Sequence, residues 1–482
     1  MSPKKITYDH TPVLEESTPI DKVYEQSIKN LKRLPQTTQV PEEKLKSNLP
    51  NIFTVPQTAP LIWAQEKEIY QHYLVVTKAD VGGIGGHVET ADQVQAAGLE
   101  YILRHNRLQG RPIFKSIFTS HTGDDLAFTG IVDQQTIQHK EALDELLWDA
   151  FTESSKVALK QGNYGPGQDL KADAFTGNIH GSGPASVSLP LPVREDPNQA
   201  SQTVLIAFAD KTEPGTYNHL TTGAYLDPNY NTGLLLAESA MSRGYIFEIT
   251  DVDTKAQAIE AGTSPSNQKQ MDAMMDKIGK NQRTITLSGP ENLYDIAALT
   301  MQSSRYVISK IYSKDEKGKE NKLGLVVSAE RLHNIKTSKG YTYGGKDDPV
   351  LVALCQGDWP APGEITAPLA RTPIVAGDCR GSHYLHLYPM PINNQTSYFS
   401  GPIISVITLS VNIHTGRIGA ISDQLACGTP WDQYRLQAAE RMEQFRSSHG
   451  FRQPATLPVE EQEYHSGFKN RMTRLSASFK TK

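Results

Sequence analysis

Cysteine is scarce: three residues, Cys355, Cys379 and Cys427, in a chain of 482. The odd, sparse count, with no metal-ligand spacing, does not suggest a disulfide framework and suits a reducing compartment. Long apolar runs are missing too. No stretch approaches the roughly 20 residues that span a bilayer. The opening "MSPKKITYDHTPVLEESTPID" lacks the apolar core of a signal peptide, and Asp9, Glu15, Glu16 and Asp21 argue against a transit peptide. Positive charge is not in excess: the net charge is −5 and the pI about 6.3. That balance gives no reason to expect nucleic acid or a membrane as partner. The expectation is a soluble, cytoplasmic protein. With 38% hydrophobic residues, a substantial core is possible.

Residues 1 to 72 are rich in Pro, Lys, Glu, Thr and Gln and read as an N-terminal extension, either partly disordered or packed on a neighbouring subunit. Within it "DKVYEQSIKNLKRL" has the makings of one short helix. The catalytic domain is expected over residues 73–465, with a polar surface insertion at about 252–283 and a C-terminal tail at 466–482. "YLVVTKADVGG" reads as a buried strand feeding a loop. Thr90 is placed to cap a helix through "ADQVQAAGLEYILRH". "RPIFKSIFTSHTGDDLAFTGIV" reads as a strand broken by a turn. "HKEALDELLWDAFTESSKVALKQG" is a helix with Leu143, Leu147, Ala150, Ser154 and Ala158 along one stripe and Gly162 at its end. Strand signals recur at "TVLIAFAD", "GYIFEIT", "RYVISKIY", "KLGLVVSA", "DPVLVALC" and "GPIISVITLSVNI", and a last helix at "QYRLQAAERMEQFRSS". The mixture suits an α+β layered domain better than a regular βαβ repeat.

Strand ends repeat one chemistry, a polar oxygen donor in a glycine-flanked turn. "KADVGGIGGH" offers Asp80 and His87; "SHTGDDL" offers Asp124 and Asp125; "YGPGQDL" offers Gln168; "IAFADKTEPG" offers Asp210 beside Lys211; "GGKDDP" offers Asp347 and Asp348. Hard oxygen donors of this kind suit Mg²⁺, which favours octahedral oxygen shells shared with waters and phosphates. One such pair alone more often caps a helix or fills a turn. Converging carboxylates would repel one another unless a divalent cation joined them. His87 alone is more often structural, and Lys211 reads either as a surface ion pair or as a point charge for phosphate. In "YTYGGKDDP", nearby cations would lower the pKa of Lys346 and make its amine a nucleophile, with Tyr343 three residues back to move protons. The bland alternative is a solvent-facing hairpin.

"KADVGGIGGH", "GDDL", "YGPGQDL", "AFTGN", "ADKTEPGTYN", "RYV", "GKDDPV" and "RGSH", in that order from about Tyr73 to Tyr464, resemble the archaeal-type bifunctional fructose-1,6-bisphosphate aldolase/phosphatase family. The resemblance implies an α-β-β-α layered sandwich and a homo-octamer. It also implies several Mg²⁺ per site and no organic cofactor. One site would condense dihydroxyacetone phosphate with glyceraldehyde 3-phosphate, then remove the 1-phosphate of fructose 1,6-bisphosphate to leave fructose 6-phosphate, a gluconeogenic pair of steps. It implies metal ligands at Asp80, His87, Asp124, Asp125, Gln168, Asp210, Asp347 and Asp348, a Schiff-base Lys346 and an acid/base Tyr343. Substrate contacts would fall on His87, Tyr164, Gly177, Asn178, Lys211, Gln356, Gly357, Arg380, Ser400 and Tyr464. Two of these depart from the family's pattern: Ser400 replaces an aspartate, and Gly357 replaces a residue with a side chain. Two alternatives stand beside this expectation: a Mg²⁺-dependent fructose-1,6-bisphosphatase without the aldolase, and a non-catalytic sugar-phosphate sensor.

Overall fold

A computed structural model of the chain describes residues 6–10, 52–53, 71–86, 88–170, 184–237, 240–252, 258–259, 283–303, 305–315, 322–330, 335–337, 342–343, 349–376, 384–393 and 402–449. Runs of β-branched and aromatic residues, punctuated by Gly, Pro and Asp, divide the chain into strands. In order these are β1 (Ile52–Phe53), β2 (His72–Asp80), β3 (Phe114–Thr122), β4 (Asp125–Asp133), β5 (Ala185–Pro190), β6 (Ser201–Asp210), β7 (Tyr245–Asp251), β8 (Ala258–Ile259), β9 (Arg283–Gly289), β10 (Tyr306–Lys314), β11 (Lys322–Glu330), β12 (Ile335–Thr337), β13 (Thr342–Tyr343), β14 (Val350–Cys355), β15 (Ile374–Ala376), β16 (Tyr384–His386), β17 (Tyr388–Pro389), β18 (Ile403–Asn412) and β19 (Arg417–Asp423). The helices that matter below are α1 (Asp92–His105), α2 (Lys140–Lys160), α3 (Asn218–Leu226), α4 (Leu293–Thr300) and α5 (Trp431–His449).

The first sheet has the order β1-β3-β4-β2-β5, and each neighbouring pair is antiparallel. The second runs β17-β18-β6-β14-β11-β10-β7-β9, with β19 on β18. It is antiparallel except between β17 and β18. The fold is thus a mixed α/β domain built on antiparallel sheets, with no βαβ repeat among its described strands. Both faces of the first sheet are apolar, which is why "YLVVTKAD" reads as a near-continuous run. Leu74, Val76, Phe118, Ala127 and Ile131 join a core with β6, β14 and β18 of the second sheet. Val75, Ala79, Ile117 and Phe128 join another core with α1 and α2.

The predicted strands overlap β6, β7, β10, β11, β14 and β18, and the interrupted strand is the β3–β4 hairpin. The five stripe residues of α2 are all buried. Gly162 adopts φ +72° at its end, and the Gly162 and Asn163 amides bond back to the Leu159 and Ala158 carbonyls. One detail differs. Ala91, not Thr90, sits at the N-cap of α1, without a side-chain cap. The Thr90 hydroxyl donates instead to the Asp124 carbonyl at 3.0 Å, tying the helix entrance to the β3–β4 turn.

Before residue 71, two pieces of the N-terminal stretch are described. Ile52 and Phe53 pair with the edge of β3. Tyr8 is buried, its hydroxyl 2.6 Å from Asp149 Oδ2 and 2.7 Å from the Tyr101 hydroxyl. The helix expected at "DKVYEQSIKNLKRL" lies outside the described residues, as does most of 252–283. Within that span Ala258–Ile259 pairs parallel with β12. No helix among the described residues is long and apolar enough to cross a membrane.

Candidate active site

Three acidic strand ends meet where the two sheets face each other. Asp80 closes β2 and is paired in register with Asp125, the first residue of β4. Thr122 pairs with Asp125 across a two-residue turn of Gly123 and Asp124. From the second sheet, β6 ends in Asp210. Gly123 has φ +61°, and a Cβ built there would lie 1.7 Å from Asp210 Oδ2. The turn therefore needs glycine twice: for its left-handed backbone, and to let a carboxylate from the other sheet come against the backbone.

Asp80, Asp124, Asp125 and Asp210 are all buried. Lys211 stands between two of them, its Nζ 2.9 Å from Asp124 Oδ1 and 2.6 Å from Asp210 Oδ1. Its backbone is left-handed, at φ +59°, an uncommon conformation for lysine that turns the residue after β6 back over the turn. The loop carrying Tyr164 and Gln168 packs on the segment after Asp80. Gly83 and Tyr164 exchange two backbone hydrogen bonds of 3.0 Å, and Gly167 donates to the Val81 carbonyl at 3.1 Å. The side chain that this loop places against Asp80 is that of Asp169, whose Oδ2 accepts from the Asp80 amide at 2.8 Å. The Gln168 amide closes a turn on the Gly165 carbonyl.

Burial raises the pKa of Asp80 well above the usual carboxylate range, and the charges of Asp124, Asp125 and Asp169 raise it further against the pull of Lys211. The site is thus a buried, oxygen-rich cluster holding more carboxylates than ammonium groups. That donor set fits a hard divalent cation. Among the described residues no group of three or more His, Cys, Asp or Glu side chains is arranged to hold a metal by itself. Asp80, Asp124, Asp125, Asp210 and Lys211 are the predicted residues seen together, with Tyr164 and Gln168 on the adjoining loop.

Three further predicted residues are described. Tyr343 lies in β13, paired with Ile335. Gln356 and Gly357 follow the far end of β14, where Cys355 pairs with Thr203, whereas the end near the cluster is Val350, paired with Phe208. The rise of a strand puts these two ends roughly 17 Å apart, so the structure does not bring Gln356 and Gly357 to this chain's own cluster. His87, Gly177, Asn178, Lys346, Asp347, Asp348, Arg380, Ser400 and Tyr464 lie outside the described residues. Pro349, the residue after Asp348, does reach the cluster's edge: its carbonyl accepts from the Ala209 amide at 3.2 Å and from the Tyr217 hydroxyl.

Sequence reasoning missed Asp169 and Lys78. Lys78 is fully buried, with Nζ 2.7 Å from Asp125 Oδ2 and 2.6 Å from the Ala209 carbonyl. The available signal was a lysine inside an apolar strand, two residues from Asp80 and so on the same face.

A family model described as fructose-1,6-bisphosphatase matches residues 72–480. Proteins named fructose-1,6-bisphosphate aldolase/phosphatase align over most of the chain. That of Thermus thermophilus is 35% identical over 407 residues, covering 84% of this chain and 99% of the relative. That of Methanothermobacter marburgensis is 33% identical over 392 residues, covering 81% and 94%. That of Ignicoccus hospitalis is 32% identical over 390 residues, covering 81% and 88%. With the family model matched over most of the chain and these relatives covered nearly end to end, this chain belongs to the fructose-1,6-bisphosphate aldolase/phosphatase family.

Proposed function

We propose that the chain is a bifunctional gluconeogenic enzyme. It joins dihydroxyacetone phosphate and glyceraldehyde 3-phosphate into fructose 1,6-bisphosphate, then hydrolyses the 1-phosphate to give fructose 6-phosphate. The observation that carries the reading is the meeting of Asp80, Asp124, Asp125 and Asp210 around Lys211 at the junction of two sheets, in a chain of this family.

In the aldol step the Lys346 amine attacks the ketone carbonyl of dihydroxyacetone phosphate and, with loss of water, forms a protonated imine. That cation draws electrons, so a proton leaves the neighbouring carbon to Tyr343. The resulting enamine carbon attacks the aldehyde of glyceraldehyde 3-phosphate. The new alkoxide takes back the proton held by Tyr343, and water then hydrolyses the imine to release fructose 1,6-bisphosphate and the Lys346 amine.

For the phosphatase step, Asp80, Asp124, Asp125 and Asp210 are the described residues that would hold Mg²⁺, with His87, Gln168, Asp347 and Asp348 completing the set. A bound divalent cation supplies charge neutralisation for the phosphate and makes water a better nucleophile. Lys211, held between two carboxylates, would contact a phosphate oxygen as a point charge. Tyr164, Gly177, Asn178, Arg380, Ser400 and Tyr464 would orient the sugar phosphate, Arg380 through a bidentate grip. Gln356 and Gly357 are too far along β14 for their own chain's site. In a homo-octamer they would serve a neighbouring protomer's sugar phosphate.

The same reading gives an N-terminal extension over 1–72, an α-β-β-α layered catalytic domain over 73–465 and a tail over 466–482, in the cytoplasm. The two shared cores of the first sheet support the layering. The test supplies purified protein with the two triose phosphates and Mg²⁺ and measures phosphate, beside Lys346→Ala. Release by the parent and none by Lys346→Ala is expected. Hydrolysis of fructose 1,6-bisphosphate without release from trioses would leave a phosphatase alone.

A further inference from the structure

Among the described residues two ammonium groups stand among the carboxylates, and they differ. Lys211 keeps a partly accessible side chain and bonds the carboxylates of Asp124 and Asp210. Lys78 has no accessible surface and bonds one carboxylate and one backbone carbonyl. It cannot touch a substrate. An isolated ammonium so buried is strongly disfavoured, so its position depends on these bonds.

Its two partners belong to different sheets. Asp125 begins β4 of the first sheet, and Ala209 is the penultimate residue of β6 in the second. Lys78 itself precedes Asp80 by two residues on β2. Ala209 directly precedes Asp210, and its amide donates to the carbonyl of Pro349, which directly follows Asp348. One ammonium thus links the segments bearing Asp80, Asp125 and Asp210. One further hydrogen bond extends the link to the strand leaving Asp348.

Between the two sheets the shared core is apolar. Apolar packing is non-directional. A cation site needs ligands held to a fraction of an ångström. We infer that Lys78 is a positioning residue: it sets the acidic ends of the two sheets in register by bonding Asp125 and Ala209 at once. This deepens the reading of the cluster as a divalent-cation and phosphate site, and rests on it.

The test compares parent and Lys78→Met by calorimetric titration with MgCl₂, by the Mg²⁺-induced rise in Tm, and by steady-state hydrolysis of fructose 1,6-bisphosphate. Loss of such a supporting contact should weaken Mg²⁺ binding and lower kcat by about tenfold or more, with KM little changed. Parent-like Mg²⁺ binding and kcat in a folded Lys78→Met would overturn the inference. If Lys78→Met does not fold, Lys78→Gln replaces it, a neutral polar side chain too short to bond Asp125 and Ala209 at once. A folded Lys78→Gln is expected to bind Mg²⁺ about tenfold more weakly than the parent. Parent-like binding would overturn the inference. A parent that neither binds Mg²⁺ nor hydrolyses the bisphosphate would remove the reading of the site itself, and that outcome is visible in the parent alone.

Discussion

At Gly123 a single hydrogen decides whether the site can form. Its φ of +61° disfavours any Cβ, and a Cβ would meet Asp210 Oδ2 at 1.7 Å. The contact is with a carboxylate that is itself bonded to Lys211, so yielding means moving Asp210 away from Asp124. Gly123→Ala is therefore expected to unfold nothing distant, cost about 1–3 kcal/mol in backbone strain and overpacking, and lose most of the phosphatase activity. Denaturant unfolding and phosphate release check the two halves; a fully active Gly123→Ala would refute the close approach. "GDD" was legible as an acidic turn. That its glycine serves the other sheet was not, because the partner is 87 residues away in the chain.

Among the elements, the junction of β19 and α5 carries a pH-sensitive group. The Asp423 carboxylate accepts from the Ile392 amide at 3.1 Å and the Leu425 amide at 2.9 Å. Burial nonetheless pushes its pKa up to about 6, against those bonds and the charge of Arg435. A folded pKa above the unfolded value of 3.8 means that its contribution to stability is fully present below about pH 4. That contribution is lost as pH rises through about 6. The difference corresponds to at most about 3 kcal/mol. Asp423→Asn cannot ionise, so its Tm relative to the parent should climb between pH 4 and 7. A difference in Tm that stayed flat over that range would show that Asp423 does not titrate there. At this scale the strands and long helices followed from apolar runs and periodicity. The cap of α1 did not, because the Thr90 hydroxyl is taken by the Asp124 carbonyl, a tertiary contact that local propensity cannot register.

Across the whole molecule, the stretch before residue 72 lies outside the matched family region, yet Tyr8 is buried against the helical layer. Its hydroxyl meets Asp149 on α2 and Tyr101 on α1, and the Asp9 amide donates to the Arg107 carbonyl at 2.8 Å. Tyr8→Phe leaves the ring and removes the donor to a carboxylate, a change expected to cost about 1–3 kcal/mol. Activity should be unchanged, since these residues pack on the α1 and α2 side of the first sheet, away from the second. Thermal unfolding of Tyr8→Phe beside the parent checks these bonds; an unchanged Tm would mean that the Tyr8 hydroxyl adds nothing to the fold.

What the sequence determined by itself was local. Apolar runs ending in "KAD", "GDD" and "AFAD" set strands and acidic ends, and the ordered motifs set the family. Tertiary structure alone decided which of those ends meet and what joins them. The pairing of Asp80 with Asp125 depends on strand register, the approach of Asp210 on how two sheets pack, and the bond from Lys78 to Ala209 on both. The same packing carries Gln356 to the far end of β14, beyond reach of the cluster. These are distances between residues far apart in the chain. They are set when a few apolar faces are buried together, and no local spacing encodes them.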